Sequence, residues 1–516
     1  MSPFAQIKDL ANSNPARLLI YIILAVTILR IIFLFLSQID LGPDETQYWW
    51  WGQSFQFGYF SKPPMIGWLI GVSTSLFGDA EWAVRLLSPV ITGITTWLVF
   101  LISRRLYDEQ VGFWAAIVWT TLPAIILSNA ILSTDIPLLL FWCLALRAFI
   151  GLTEEDNIRW AILLGVSIGL GMLSKYAMIY FPLCMTLAFI LSADARKAFR
   201  PLPLALAGII AFLIFLPNIF WNAANDFQTL AHTQENASWG RDMFNFDEFF
   251  EFFTAQFGVA GPIIFGALIW GLITPGKRLP DDNTVRHKDL LLIAFALPPI
   301  LVICLQAFLS KANANWAMTS YPALVMLVTA WLLRAGSKRW LQASTALHVL
   351  LAVIFMIAST NFAIVDAIGQ SNSVKRVRDW DKQAADIARY AENYDVIVVD
   401  DRELMGNLLY YMRDIGKPIK AWDINRKVEY HYEAFDKFDP TQYDKALLVA
   451  KYPQYLYSYV EFENIIEIGV SELDMKVRCP RRYGLYELSG YNPAVDASER
   501  TPPTAIKFTK DDCRPY

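Results

Sequence analysis

Charged residues are scarce in this chain. Of its 516 residues, 18% are charged and 55% are hydrophobic, and the mean hydropathy is +0.35. Soluble domains carry roughly a quarter charged residues, so the composition argues against an ordinary soluble protein. The formal charge is only −4, and the basic residues are scattered along the chain. This charge distribution argues against a nucleic-acid-binding surface.

Cysteine is also sparse, and its spacing is not that of a metal site. Cys143, Cys184 and Cys304 lie in apolar runs, where cysteine mostly acts as a small hydrophobic residue. Cys479 and Cys513 lie in the polar C-terminal part. Whether these two form a disulfide depends on the compartment and is left open by the sequence. The sequence also lacks a glycine-rich phosphate loop and a repeat of fixed period.

Long apolar runs, in contrast, fill the chain as far as residue 362. About eleven of them are long enough to cross a membrane as helices. The first run shows no small-residue cleavage site at its end, so we expect a retained helix and not a signal peptide. A shorter apolar run at 64–77 fits a helix at the membrane interface. The predicted spans are 17–39, 82–103, 112–132, 136–152, 160–174, 176–192, 203–221, 257–274, 289–309, 316–334 and 341–362.

The basic loops predict the orientation of these spans. One set of loops carries most of the Lys and Arg residues, and the positive-inside rule places that set in the cytoplasm. An odd number of spans then puts the N-terminus inside and the C-terminal tail outside a bacterial inner membrane. The cytoplasmic set is Arg104, Arg105, Arg196, Lys197, Arg200, Lys277, Arg278, Arg286, Lys288, Lys338 and Arg339, and the outer residues are Lys62, Lys175, Arg241 and Lys311.

The tail reads as a separate domain. We predict an α-helical polytopic membrane domain over 1–362 and a soluble periplasmic α/β domain over 363–516. Periodicity in the tail predicts alternating helices and strands. The predicted elements are helices at Arg376–Tyr394 and Glu403–Arg413, and strands at Asp395–Val399, Ala446–Ala450 and Tyr483–Leu488.

The first outer loop combines residue types that suit a reaction on a lipid-linked sugar phosphate. Asp44 and Glu45 are adjacent carboxylates, and Lys62 precedes two prolines. A carboxylate can take the proton from an attacking hydroxyl, and a cation can offset the charge on a departing phosphate. A structural alternative stays open, because Pro43 followed by two acids is also a good helix start and Lys62 can snorkel.

Aromatic residues surround these charges. Tyr48, Trp49 and Tyr59 are predicted to contact the sugar or the lipid. The alternative is that they belong to the aromatic belt that any membrane protein carries at the interface.

Two further candidates lie at outer helix ends. Asp135 follows Ser133 and Thr134 and is a candidate catalytic acid. The structural alternative is that one of these three residues caps the next helix, with Pro137 in its first turn. Lys175 lies where positive charge is disfavoured, so it either binds a phosphate or snorkels.

These segments together resemble the GT-C membrane glycosyltransferases. The likeness is to glycosyltransferase family 39 (the dolichyl-phosphate-mannose-protein mannosyltransferase superfamily) and to the bacterial aminoarabinose and galacturonic acid transferases. It covers the membrane part in order and extends into the tail. It rests on Gly42–Glu45 with Tyr48-Trp49, Gly58–Pro64, Ser133–Asp135, Leu173–Tyr176, Pro217–Asn222, Gly258–Pro262, Ala314–Ala317, Asp400–Leu404 and Arg481–Tyr486.

The resemblance implies inverting transfer from an undecaprenyl-phosphate-linked sugar. It implies Asp44 as the base, Lys62 on the donor phosphate and Asp135 as a second acidic residue that faces the cavity. Glu45 is a further candidate for a catalytic acid, and Lys175 is a further candidate for the donor phosphate. The expected acceptor is lipid A, core or another envelope glycan. The aminoarabinose enzymes carry a carboxylate just before the lysine, whereas this chain has Ser61. That departure argues against aminoarabinose as the donor sugar.

Three alternatives stay open. The acceptor could be Ser or Thr of an exported protein, as for protein O-mannosyltransferases. The chain could instead move a lipid-linked sugar across the membrane, although transporters favour inverted repeats and polar groups at mid-membrane. No protein-bound cofactor or metal site is predicted, and a divalent cation is left as an alternative.

Overall fold

The computed structural model describes residues 14–237, 244–274, 282–423, 427–451, 461–475 and 480–493. Cys479 and Cys513, whose pairing the sequence leaves open, lie outside the described residues, as do Arg241, Lys277 and Arg278. Contacts divide the chain into two compact units. The described part of the first unit is 14–35 with 56–356, and that of the second is 36–55 with 357–493. The second unit therefore includes part of the segment that follows the first helix, residues 36–55.

All regular secondary structure in the described residues of the first unit is helical. Its helices are Pro15–Leu36, Met65–Phe77, Glu81–Arg85, Leu87–Leu106, Glu109–Thr121, Pro123–Ala130, Asp135–Glu154, Ile158–Ser174, Tyr176–Ile179, Tyr180–Leu191, Ala193–Arg196, Pro201–Ala224, Gln228–Ala237, Phe246–Val259, Pro262–Ile273, Asn283–Leu309, Ala314–Ser320, Tyr321–Arg334 and Lys338–Thr360. Among the described residues, seven continuous helices are long and apolar enough to cross a membrane. The predicted class, a polytopic α-helical membrane protein, is confirmed.

Two runs predicted as straight spans are broken. The run at 112–132 is bent by 51° between Glu109–Thr121 and Pro123–Ala130. Pro123 has no N–H to continue the first helix, so it begins a new one. The run at 257–274 is bent by 117°. Gly261 lies at this bend with φ +82, a left-handed conformation that favours glycine. If each bent pair counts as one span, the described residues hold nine.

Two other predicted spans are short helices. The run at 160–174 is the helix Ile158–Ser174, and the run at 176–192 is a 3-10 turn followed by Tyr180–Leu191. Both are shorter than the roughly 20 residues of a typical membrane crossing. The difference between nine spans and the predicted eleven lies in these two helices.

Close packing of small residues fixes the helix that ends beside Lys175. At Gly165 a side chain would lie 2.6 Å from the carbonyl oxygen of Ala207, and at Gly169 it would lie 2.8 Å from Ile214. Glycines on one face let two helix backbones approach closely in a membrane. Ile158–Ser174 is thereby held against Pro201–Ala224, so the end of the helix beside Lys175 is fixed.

The second unit contains a five-stranded mixed sheet. Its strands in chain order are β1 (Val396–Val399), β2 (Ile419–Ala421), β3 (Lys445–Ala450), β4 (Phe462–Leu473) and β5 (Arg481–Tyr491). The spatial order is β2-β1-β3-β5-β4, with β1 parallel to β2 and β3. β5 is antiparallel to both neighbours. The helices of this unit are Pro43–Gly52, Phe362–Ala367, Ser371–Val374, Lys375–Val377, Trp380–Ala391, Arg402–Tyr411, His431–Phe435 and Pro440–Gln442.

The α/β class of the tail is therefore confirmed, but the bounds of several elements differ from the predicted ones, most of all those of the long helix, which spans Trp380–Ala391. The long helix was predicted to begin at Arg376, but it begins at Trp380. Asp379 has φ +58, which interrupts the right-handed helix. β2 and β4 were not predicted, because β2 has only three residues and β4 alternates weakly between exposed and half-buried positions.

Candidate active site

Glu45 has a structural contact at the start of the helix Pro43–Gly52. The backbone N–H of Gly42 donates to Glu45 Oε2 at 3.0 Å. Glu45 is 1% exposed. A carboxylate in this position satisfies a backbone donor that the helix leaves unpaired. The helix-start interpretation thus accounts for Glu45, and its catalytic role stays a prediction that this burial does not favour.

Asp44 has the opposite environment. Its side chain is 63% exposed and accepts a hydrogen bond from Arg402 Nη2 at 2.5 Å. The Nε of the same guanidinium donates to Gln47 Oε1 at 2.6 Å. Asp401 caps the helix that begins at Arg402 by accepting the N–H of Leu404. Arg402 is therefore fixed at a helix start, and it orients a carboxylate that stays open to an incoming hydroxyl.

The predicted contact aromatics are buried. Tyr48 packs against the ring of Trp51, and Trp49 meets Tyr410 edge to face with ring centroids 4.9 Å apart. Tyr59 covers Gly67, where a side chain would lie within 2.8 Å of its ring. The contact of Tyr48, Trp49 and Tyr59 with sugar or lipid stays a prediction, and their burial points to packing.

Asp135 and Lys175 form an ion pair in the first unit. Lys175 Nζ lies 2.7 Å from Asp135 Oδ1, and Asn315 Nδ2 donates to Asp135 Oδ2 at 2.9 Å. The Asp135 side chain is 3% exposed, against 17% for Lys175. Thr134, at the N-cap position, makes no side-chain capping bond. Both carboxylate oxygens of Asp135 are engaged, so the geometry gives Asp135 the task of holding the ammonium group of Lys175.

An open cleft of about 440 Å³ has Lys175 on its wall. Lys62 and Ser61 line the same cleft, so the structure brings the two predicted phosphate-binding lysines to one cavity. Most of the remaining wall is aromatic or aliphatic: Tyr176, Tyr180, Ile179, Val302, Ile303, Leu305 and Trp316. Two cations beside an apolar wall suit a ligand with an anionic head and a hydrocarbon chain.

The segment that carries Lys62 is held by the helix Pro201–Ala224. Asn218 Nδ2 donates to the carbonyl of Phe57 at 2.7 Å, and Trp221 Nε1 donates to Gln56 Oε1 at 3.0 Å. At Gly58 a side chain would lie 2.3 Å from the Trp221 ring.

The sequence alone gave no role to the residues that hold the candidate side chains within each unit. Asn218, Asn315 and Arg402 all lie in segments that carry the family resemblance. The family resemblance of these segments could have marked the three residues as candidates. It does not indicate which side chains contact one another.

No three His, Cys, Asp or Glu side chains gather as a metal site within the described ranges of the chain. The alternative of a divalent cation stays a prediction.

Comparison with known proteins gives a match over most of the chain. Lipid A galacturonosyltransferase RgtD of Rhizobium johnstonii is 35% identical over 405 residues, which are 78% of this chain and 84% of that protein. The chain belongs to the GT-C membrane glycosyltransferases. It is therefore an enzyme that transfers a sugar.

Two further sequence comparisons agree with this family. The model of the dolichyl-phosphate-mannose-protein mannosyltransferases matches residues 61–221. The undecaprenyl phosphate-alpha-4-amino-4-deoxy-L-arabinose arabinosyl transferase 1 of Pseudomonas fluorescens is 28% identical over 218 residues, or 38% of this glycosyltransferase and 37% of the relative.

A solved structure shares the fold. ArnT from Cupriavidus metallidurans, crystallised with undecaprenyl phosphate, superimposes with a TM-score of 0.63 at 14% identity. The likeness covers 90% of this glycosyltransferase and 97% of ArnT. The predicted GT-C fold is thus confirmed.

Proposed function

We propose that this glycosyltransferase transfers galacturonic acid from a polyprenyl-phosphate donor to lipid A. The observation that carries the proposal is the 35% identity to a lipid A galacturonosyltransferase over 78% of the chain. Ser61, where the aminoarabinose enzymes carry a carboxylate, agrees with a donor sugar other than aminoarabinose.

The cleft supports a polyprenyl-phosphate donor. We assign the donor phosphate to Lys62 and Lys175, and the isoprenoid chain to the wall that includes Ile179 and Leu305. A fixed cation stabilises the phosphate more as its negative charge grows in the transition state. Asp135 contributes by holding Lys175 in place.

We assign Asp44 as the general base. The acceptor hydroxyl oxygen attacks the anomeric carbon, and the bond from that carbon to the phosphate oxygen breaks. The polyprenyl phosphate leaves with the electron pair, while Asp44 accepts the hydroxyl proton. The exposed carboxylate of Asp44 and its ion pair with Arg402 support this role. Attack opposite the leaving group inverts the anomeric centre.

We further propose that the reaction takes place at the periplasmic face of a bacterial inner membrane. The basic loops support this orientation. An enzyme that is active only in the cytoplasm, fused after Tyr516, should give no signal, whereas a periplasmic reporter there should be active. Strong activity of the cytoplasmic reporter would contradict the orientation and the placement of Asp44.

A deletion strain tests the function. Mass spectrometry of lipid A should show the loss of one hexuronic acid, restored by the wild-type gene and not by Asp44→Asn. Exported proteins from the same cultures should keep their glycans. Loss of a protein-linked hexose with unchanged lipid A would contradict the proposal and favour a protein O-mannosyltransferase.

A further inference from the structure

A small basic pocket lies in the second unit. Its lining carries four basic side chains, one acidic side chain and two aromatic rings, from Lys375, Arg376, Trp380, Glu403, Lys451, Arg481 and Tyr483. It joins two tail segments of the family resemblance, Asp400–Leu404 and Arg481–Tyr486.

Arg481 is a buried cation in this pocket with an unused donor. It is 5% exposed, and its guanidinium stacks on Trp380 with Cζ 3.9 Å from the ring centroid. Nη2 donates to the carbonyl of Arg378 and lies 3.1 Å from Met475 Sδ. Among the described residues, Nη1 is buried with no hydrogen-bond partner. A buried guanidinium N–H without an acceptor is costly, and an oxyanion would satisfy it.

Glu403 of the pocket and the neighbouring Asp401 are paired with bases other than Arg481. Glu403 receives hydrogen bonds from Arg376 at 3.0 and 3.3 Å. Lys451 Nζ lies 3.0 Å from Asp401 and 3.9 Å from Glu403. Neither acid forms an ion pair with Arg481 in the described part of the chain.

Lys375 adds a second buried cation. Burial and the repulsion from Arg481 lower its pKa to about 8. An anion placed between these two groups would relieve that repulsion and favour the charged ammonium. Tyr483 lines the same pocket, and burial raises the pKa of its phenol, which keeps it a neutral O–H donor.

We propose that this pocket binds one oxyanion group of a substrate, a carboxylate or a phosphate, with Arg481 as its principal ligand. The cavity volume of about 20 Å³ admits only one or two water-sized groups, so the occupant is the tip of a larger molecule. A planar guanidinium suits carboxylate and phosphate equally, since both offer oxygens at the spacing of its N–H groups.

The pocket is electrostatically connected to the candidate base. Arg376 pairs with Glu403, which adjoins Arg402, and Arg402 holds Asp44. The charge of Asp44 is among the influences that raise the pKa of Arg376, after its hydrogen bond with Glu403. An anion here would therefore bind to the same network of charged side chains as Asp44. The assignment of this anion to a substrate rests on the proposed function, in which the sugar carries a carboxylate.

Met475 provides a reporter specific to this pocket, because its sulfur contacts Arg481. The chain has twelve methionines, and Met475→Leu identifies the corresponding signal in a spectrum of protein labelled with ¹³C at the methionine methyl groups. The full-length protein in detergent is titrated with inorganic phosphate, with D-galacturonate and with uncharged galactose, at ionic strength matched by sodium chloride. The measurement requires no turnover, so it stands even if sugar transfer is not observed.

The Met475 signal should shift saturably with phosphate or galacturonate and not with galactose. Tighter binding of phosphate would identify a phosphorylated headgroup as the source, and tighter binding of galacturonate a sugar carboxylate. Arg481→Gln should weaken binding by roughly tenfold or more. The matched control is Arg482→Gln, the next residue on β5, whose guanidinium pairs with Glu472 at 2.6 Å; it should bind as the wild type does.

Two results would overturn the proposal. One is the absence of a saturable shift with either anion in the wild-type protein. The other is unchanged anion binding in folded Arg481→Gln. Should that variant fail to fold, Lys375→Gln provides the second measurement, and unchanged affinity there would contradict the pocket as well.

Discussion

The ion pair between Asp135 and Lys175 allows a positioning role to be separated from direct catalysis. If Asp135 acts by holding the ammonium group of Lys175, Asp135→Asn should impair transfer only while Lys175 is present. A double-mutant cycle with Lys175→Gln measures this dependence. Direct catalysis by Asp135 would make the two effects independent.

The structure sets the expected size of the effect. The Nζ–Oδ1 distance is 2.7 Å and the Asp135 side chain is 3% exposed. A charged hydrogen bond of this kind contributes about 1.5–3 kcal/mol. We therefore expect Asp135→Asn to lower transfer roughly 10- to 150-fold. In the Lys175→Gln background the same change should cost less than about threefold, equivalent to ~0.6 kcal/mol.

The assay is turnover of a synthetic polyprenyl-phosphate sugar by purified variants at saturating donor, with folding checked by thermal unfolding. The control is the ion pair of Arg105 with Glu154, which has the same 2.7 Å separation but is exposed. Glu154→Gln should change turnover little, because exposed pairs contribute at most about 1 kcal/mol. Additive losses from Asp135→Asn and Lys175→Gln would refute the positioning role.

Three further variants test other parts of the account. Asp44→Asn should reduce transfer about 10²–10⁴-fold with normal thermal stability, as expected for a general base, and near-normal turnover of folded protein would return Asp44 to a helix-start role. Lys62→Ala should lower the maximal rate at saturating donor, with partial rescue by Lys62→Arg; full activity in the alanine variant would exclude the phosphate contact. Asp289→Ala should destabilise the protein by about 3 kcal/mol, since Asp289 is fully buried and accepts hydrogen bonds from Tyr107, Trp331 and Arg334. Thermal unfolding in detergent measures this change, and an unaltered unfolding temperature would contradict it.

The sequence predicts the helical membrane class, the two longest tail helices and three of the five described strands, because apolar runs and strand periodicity are local signals. It does not predict the helix breaks at Pro123 and Gly261. At both positions the hydropathy is continuous, but the backbone of a single residue ends the helix. The left-handed Asp379 is missed for the same reason.

For the candidate functional residues, too, the sequence predicts local features but not contacts between distant residues. Asp44, Lys62 and Lys175 were found from residue type and motif alone. Arg402, the partner of Asp44, and Asn315, the partner of Asp135, are distant in sequence from these acids, so only the fold shows the contacts. Glu45 and Asp44 are adjacent and chemically alike, yet one is buried as a cap and the other exposed. That difference depends on helix geometry and cannot be read from composition.

Transfer by the purified protein tests the central claim most directly. The wild-type enzyme is given polyprenyl-phosphate galacturonic acid and lipid A, and the lipid is analysed by mass spectrometry. We predict the addition of one hexuronic acid, with the anomeric configuration inverted, and none with Asp44→Asn. If lipid A is unchanged while the same protein glycosylates a Ser- or Thr-containing peptide, or only moves the donor across vesicle membranes, the account is contradicted.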